Sequence, residues 1–256
     1  MERKGQGGAL VLEIVLLEFQ PAPASLPPGQ RAYAIGDVHG CLDRLVAMHG
    51  AIAADLVARP IAHSLIVHLG DYIDRGPDSA GVIAHLLTPF PDIGGPAPHV
   101  VHLMGNHEAM MLDALASATP NATRIWLHNG GGEALASWGL VWREGPQAWA
   151  AGLPPTHWGF LRGLAVIYRV GGYAFVHAGL RPERDMMAQT KQDMLWIREP
   201  FLSYEGRMPA VAVHGHTPCE APEVRAHRIG VDTGAVLGGP LSCAVLEADR
   251  VGFLQT

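Results

Sequence analysis

Short apolar runs that end in glycine followed by an acid, an amide or a histidine recur along this chain. Residues 31–35 lead into Gly36-Asp37, 64–69 into Gly70-Asp71, and 100–104 into Gly105-Asn106. Their shortness and the glycines that bound them predict buried strands. Between them, residues 42–57 and 79–87 carry apolar side chains at three-to-four spacing, the period of a helix with one buried face. The alternation predicts a βαβαβ unit whose polar residues gather at the C-terminal ends of the strands, where open α/β sheets place ligands. After Glu108, Ala, Trp and Leu recur at helical spacing through 126–138 and 149–164, which predicts a mostly helical insertion over roughly 109–168. Strand patterns return at 173–176, 210–213, 228–231 and 242–246 and predict a second sheet.

Composition narrows this picture. A chain of 256 residues, 48% hydrophobic and 16% charged, has the make-up of a globular protein and can bury one large core. We expect one catalytic domain over 31–256, preceded by an N-terminal extension of residues 1–30 that is poorly ordered and ended by Pro21, Pro23, Pro27 and Pro28. Arg3 and Lys4 before the apolar residues 9–19 resemble a targeting segment, but Glu13 and Glu18 interrupt the stretch, which argues against export. A formal charge of −6 argues against a nucleic-acid partner. No apolar run is long enough to predict a membrane span. Three cysteines without a CxxC pair suggest neither a disulfide framework nor a thiolate site, which fits the cytoplasm. The 14 histidines change the picture most, because imidazole serves divalent transition metals and proton transfer.

Five motifs stand at predicted strand ends: GDVHG (36–40), GDYIDRG (70–76), GNHE (105–108), HAGL (177–180) and HGHT (214–217). Each pairs a small residue, which lets the backbone turn tightly, with an oxygen or nitrogen donor. Any one alone is an ordinary turn; the ordered set points to a metal centre.

With these motifs the sequence resembles the phosphoprotein-phosphatase family of calcineurin-like metallophosphoesterases, in its bacterial and lambda-phage serine/threonine phosphatase branch, over nearly all of 31–246. The resemblance implies a four-layer α/β/β/α sandwich of two mixed sheets and two divalent metal ions. Manganese is favoured, with iron or zinc as alternatives, because mixed imidazole and carboxylate ligands suit them. Asp37 and His39 would hold the first ion, Asp71 would bridge both, and Asn106, His177 and His216 would complete the second. A water shared by the ions would lose its proton and attack the phosphoryl group in line. His107 would act as general acid, with Asp74 orienting it and favouring its charged form. Arg75 and Arg198 would grip phosphate oxygens, and Asn129, in an Asn-Gly-Gly run, would approach the substrate. His214 competes with His216 as the last ligand; the Gly-His-Thr-Pro pattern of 215–218 favours His216. Asp232-Thr233-Gly234 is read as a strand-end turn, and His49, His63, His85 and His227 as core or surface residues.

The expected substrate is a phosphorylated protein or a small phosphoester. Many relatives carry Arg where this chain has Met104, so one phosphate contact is missing or comes from elsewhere. The alternative substrate is a dinucleoside polyphosphate such as diadenosine tetraphosphate; in its symmetrical hydrolases Ala replaces the acid at 74 and Asp replaces Glu108, and this chain does neither. A third reading, a non-catalytic scaffold of the same fold, would be marked by loss of a ligand, and none is missing.

Overall fold

The computed structural model describes residues 17–256. Most of the apolar N-terminal stretch weighed as a targeting segment lies outside them. The first half of the fold builds one sheet and its helices. β1 (Gln20–Pro21) and β2 (Gln30–Ile35) are followed by α1 (Leu42–Ala58), β3 (His63–His68), α2 (Ser79–Leu86) and β4 (His99–His102). Then comes a helical run: α3 (Asn106–Ser117), α4 (Pro120–Trp126), a π-helical turn over Leu127–Gly131, α5 (Gly132–Ser137), α6 (Pro146–Gly152) and α7 (Pro155–Arg162). The second sheet uses β5 (Ile167–Val170) and β6 (Tyr173–Val176), and, after α8 (Lys191–Trp196), β7 (Val211–His214), β8 (Glu223–Val224) and β9 (Arg228–Gly230). The chain then returns to the first sheet with β10 (Ser242–Glu247) and β11 (Arg250–Gln255).

The sheets are ordered β1-β11-β10-β2-β3-β4 and β5-β6-β7-β9-β8. In the first, β2, β3 and β4 run parallel while β10 and β11 pair antiparallel; in the second, β6, β7 and β9 run parallel. Strand periodicity explains the layering. Tyr33, Ile35, Ile66, Cys243 and Val245 face a core shared with the helices, whereas Ala32, Ala34, Val67, Ala244 and Leu246 face the other sheet. On the second sheet Tyr173 and Phe175 point inward, and Ala174 and Val176 meet Met194, Ile197 and Phe201 outside. The result is the expected four-layer sandwich, with a thin outer layer made of α8 and the segment after it.

The expected extension is partly built into this frame. Gln20 and Pro21 pair with Val251 and Arg250, the Leu26 N–H donates to the Ala248 carbonyl at 2.9 Å, and Leu26 is buried. At the helical face, the buried Arg31 guanidinium joins Asp55 of α1 to Glu247 of β10. Among the described residues no helix is long and apolar enough to cross a membrane.

Candidate metal centre

Each parallel strand delivers a polar loop to the same edge of the sandwich. β2 leads to Asp37 and His39, β3 to Asp71, β4 to Asn106, β6 to His177, β7 to His216 and β9 to Asp232. All seven side chains are buried. The turns that aim them are tight, and His39, Asp71, Asp74, Arg75 and His216 all hold positive φ of 43°, 51°, 71°, 66° and 65°. For residues with a Cβ this conformation costs on the order of 1–3 kcal/mol each and persists only where the surroundings impose it. Gly105 shows the crowding: a Cβ there would run into the Asp71 carboxylate.

Two groups of donors form around Asp71. One joins His39, Asp71 and His107, the other Asp71, His177 and His216, with donor atoms within 4.8 Å of one another in each. The His39 and His177 Nε2 atoms lie 3.5 and 3.4 Å from Asp71 Oδ2. The first group comes wholly from loops of the first sheet; the second takes its two imidazoles from the second sheet. The Asn106 Oδ1 sits 2.8 Å from His177 Nε2 and 2.9 Å from His216 Nδ1. Asp37 belongs to neither group: its carboxylate accepts the His216 backbone N–H at 3.1 and 3.2 Å.

Backbone carbonyls orient the imidazoles. His39 Nδ1 faces the Ile73 carbonyl at 2.8 Å and His177 Nδ1 the Leu69 carbonyl at 3.0 Å, so each Nε2 points into the centre. His107 Nδ1 meets Asp74 Oδ2 at 2.7 Å, leaving its Nε2 4.0 Å from Asp71 Oδ2. Glu108 ties the loop together, its carboxylate accepting N–H groups of Gly105, Asp71, Tyr72 and Ile73 at 2.8, 2.9, 2.8 and 3.3 Å.

Electrostatics follow from burial. Burial pulls His39 and His177 down to about 3 and His216 to about 2, so these rings are neutral donors near pH 7. Burial also pushes Asp71 up to about 7 and raises Asp37, whose second cause is the charge of Asp232. Carboxylates crowded away from water are unfavourable unless positive charge offsets them. Neutral imidazoles, an amide oxygen and a shared carboxylate, with His216 Nε2 buried and unpartnered, form a donor set that fits divalent transition cations.

Several residues fall differently from the sequence reading. Burial, then His39 and Arg75, lowers His107, and burial raises Asp74, while the 2.7 Å contact between them pairs the two groups as the sequence reading expects. The Asn129 side-chain amide donates to the Ile125 carbonyl at 2.8 Å, while the neighbouring Gly130 carbonyl accepts the Arg75 backbone N–H at 3.2 Å. Arg75 is exposed and brings Nη1 3.1 Å from His39 Nε2; Arg198 is exposed. Met104 is buried in the helical-side core and reaches no ligand position. His214 is buried with its ring 5.1 Å from that of Phe201 and joins neither donor group. Asp232 does form a turn, accepting the Gly234 N–H at 2.9 Å. The sequence reading missed Trp126, whose indole N–H lies 3.0 Å from both Asp74 oxygens. A tryptophan at helical spacing reads as core, and nothing local in the sequence marks its partner 52 residues away.

The calcineurin-like phosphoesterase family profile matches residues 31–239. Serine/threonine-protein phosphatase 1 of Salmonella typhimurium is 31% identical over 85% of this chain and 93% of its own length. The asymmetrical bis(5'-nucleosyl)-tetraphosphatase PrpE of Bacillus velezensis is 26% identical over 81% and 86%. Among solved structures, the cold-active protein-tyrosine phosphatase of a psychrophilic Shewanella superposes with a TM-score of 0.62 at 18% identity, covering 89% of this chain and 80% of that one.

Proposed function

The chain belongs to the calcineurin-like phosphoesterases, hydrolases of phosphoric esters, and on that premise we propose that it is a cytoplasmic serine/threonine protein phosphatase of bacterial type. The observation that carries the reading is one carboxylate, Asp71, common to two donor groups, the arrangement a pair of cations requires. Two divalent cations, when bound, act as Lewis acids that ease the deprotonation of water and offset charge on the phosphoryl oxygens. We assign Asp37 and His39 to one, Asn106, His177 and His216 to the other, and Asp71 to both, with manganese the best match to this mixed donor set.

The chain's own groups supply the rest. His107 turns Nε2 toward the centre and delivers a proton to the departing alkoxide, held through Nδ1 by Asp74. Arg75 and Arg198, exposed beside the buried donors, grip the phosphoryl oxygens with their planar forks. Asp37 holds the His216 backbone in place in addition to its donor role.

A dinucleoside polyphosphate is the second reading, favoured by relatives that carry tetraphosphatase names. Metal analysis of the purified protein, followed by parallel assays on a phosphoserine peptide, p-nitrophenyl phosphate and diadenosine tetraphosphate with manganese, decides between them. We expect two metals per chain and turnover of the phosphopeptide. Exclusive cleavage of the dinucleotide would replace the first reading with the second, and inactivity on all three would overturn both.

A further inference from the structure

The segment 74–80, which carries Asp74 and Arg75, is gripped by the helical insertion at three points. The Trp126 indole N–H, at the end of α4, lies 3.0 Å from each Asp74 carboxylate oxygen. One residue on, the Arg75 backbone N–H donates to the Gly130 carbonyl at 3.2 Å. At the start of α2, the Ala80 N–H donates to Ser137 Oγ of α5 at 3.0 Å. Gly130 is required by this approach, with φ 103° and a would-be Cβ only 2.6 Å from the Arg75 nitrogen.

Trp126 and Asp74 are both fully buried. A buried carboxylate has lost its water and must find donors in the protein. Here Oδ2 meets His107 Nδ1 and the indole N–H is donated across both oxygens, with Ser79 Oγ accepting the Asp74 backbone N–H at 3.0 Å. The indole is itself immobilised, its ring meeting that of the buried Trp149 edge-on with centroids 5.7 Å apart. Because the N–H spans both oxygens, it fixes the rotation of the carboxylate and so the direction from which Oδ2 meets the imidazole.

We propose that Trp126 is a positioning residue for the proton donor: through Asp74 it sets the orientation of the His107 ring, and the insertion is thereby part of the leaving-group machinery. The inference rests on the reading of His107 as the acid. A proton donor matters most when the leaving group is a poor one, because nitrophenolate departs without protonation and an alkoxide does not. Disturbing the orientation of His107 must therefore show as a dependence on leaving group, which loss of fold or of metal would not produce.

The test compares Trp126→Phe with the wild type on p-nitrophenyl phosphate and on a phosphoserine peptide, with bound metal measured in parallel. We expect kcat to fall about tenfold or more on the phosphopeptide and less than about threefold on the aryl ester, a fraction of what general acid catalysis contributes. Metal content should stay unchanged. Equal losses on both substrates, or none, would overturn the proposal. If Trp126→Phe fails to fold, benzothienylalanine at position 126 keeps the bicyclic shape and removes only the N–H, and the same outcomes apply.

A second readout needs neither metal nor turnover. In the metal-free protein, Asp74→Asn should move the Trp126 indole N–H proton resonance more than those of the other tryptophans, and an unmoved resonance would overturn the contact. His107→Ala separates the two levels: if it shows no leaving-group dependence, the acid assignment fails, and the indole resonance still decides whether Trp126 holds Asp74.

Discussion

His214 and His216 are two residues apart and both buried, yet their surroundings differ in kind. His216 shares a donor group with Asp71 and His177, whereas His214 packs its ring near Phe201 on the outer side of the second sheet. We therefore expect His216→Ala to weaken metal binding beyond the roughly 10–100-fold typical of an outer-shell change, and His214→Ala to leave it within that range. Titration of metal into the metal-free variants checks this, and the reverse order would exchange their roles. At this scale the ordered motifs made His39, Asp71, His177 and His216 legible, because each donor stands beside a glycine at a strand end. Asn129 is expected near the substrate only from the resemblance, and its side-chain amide donates to the Ile125 carbonyl. Trp126 stayed hidden because its functional contact is to a distant loop.

The element that organises the centre is α3. It begins on Asn106, and Glu108 in its first turn reaches back to four backbone N–H groups, two of them on Asp71 and Tyr72. Removing that carboxylate leaves buried donors without partners. Glu108→Ala should lower the unfolding free energy of the metal-free protein by about 3–5 kcal/mol, measured by denaturant titration, and a loss below about 1 kcal/mol would mean that water replaces the side chain. The strands carrying the parallel core were legible as apolar runs, and so were α1 and α2. β5 was not, since its residues 167–168 fall at the end of a region of helical spacing. β8 has only two residues, and Gly252 interrupts the apolar pattern of β11. Pairing with a neighbouring strand defines such pieces more than their own sequence does.

Across the whole molecule, a chain of imidazoles joins the helical layer to the first sheet. His85 Nε2 of α2 meets His49 Nδ1 of α1 at 3.0 Å, His49 Nε2 meets His68 Nε2 of β3 at 2.9 Å, and His68 stacks on His102 of β4 with ring centroids 4.8 Å apart. Sequence reading left His49 and His85 as unconnected core or surface residues, because four separate elements bring this group together. Burial, and then its histidine neighbours, lowers His49 to about 4, so the unfolded chain takes up its proton first as the solution is acidified. The contribution of His49 is complete above about pH 6.5 and is lost as pH falls toward 4, at up to about 1.4 kcal/mol per pH unit. His49→Gln, which keeps a donor and an acceptor but does not titrate, should flatten the decline of the melting temperature between pH 7 and 5. An unchanged slope would show that His49 carries no proton linkage. The origins of the two donor groups carry a further consequence. One set of ligands belongs to a single sheet and stays assembled as long as that sheet does; the other is completed only when the two sheets are seated against each other. On the proposed assignment the two cations would thus be held by different parts of the architecture, and loosening of the interface between the sheets would release the ion at His177 and His216 first, leaving a half-loaded protein whose remaining ion reports an intact first sheet.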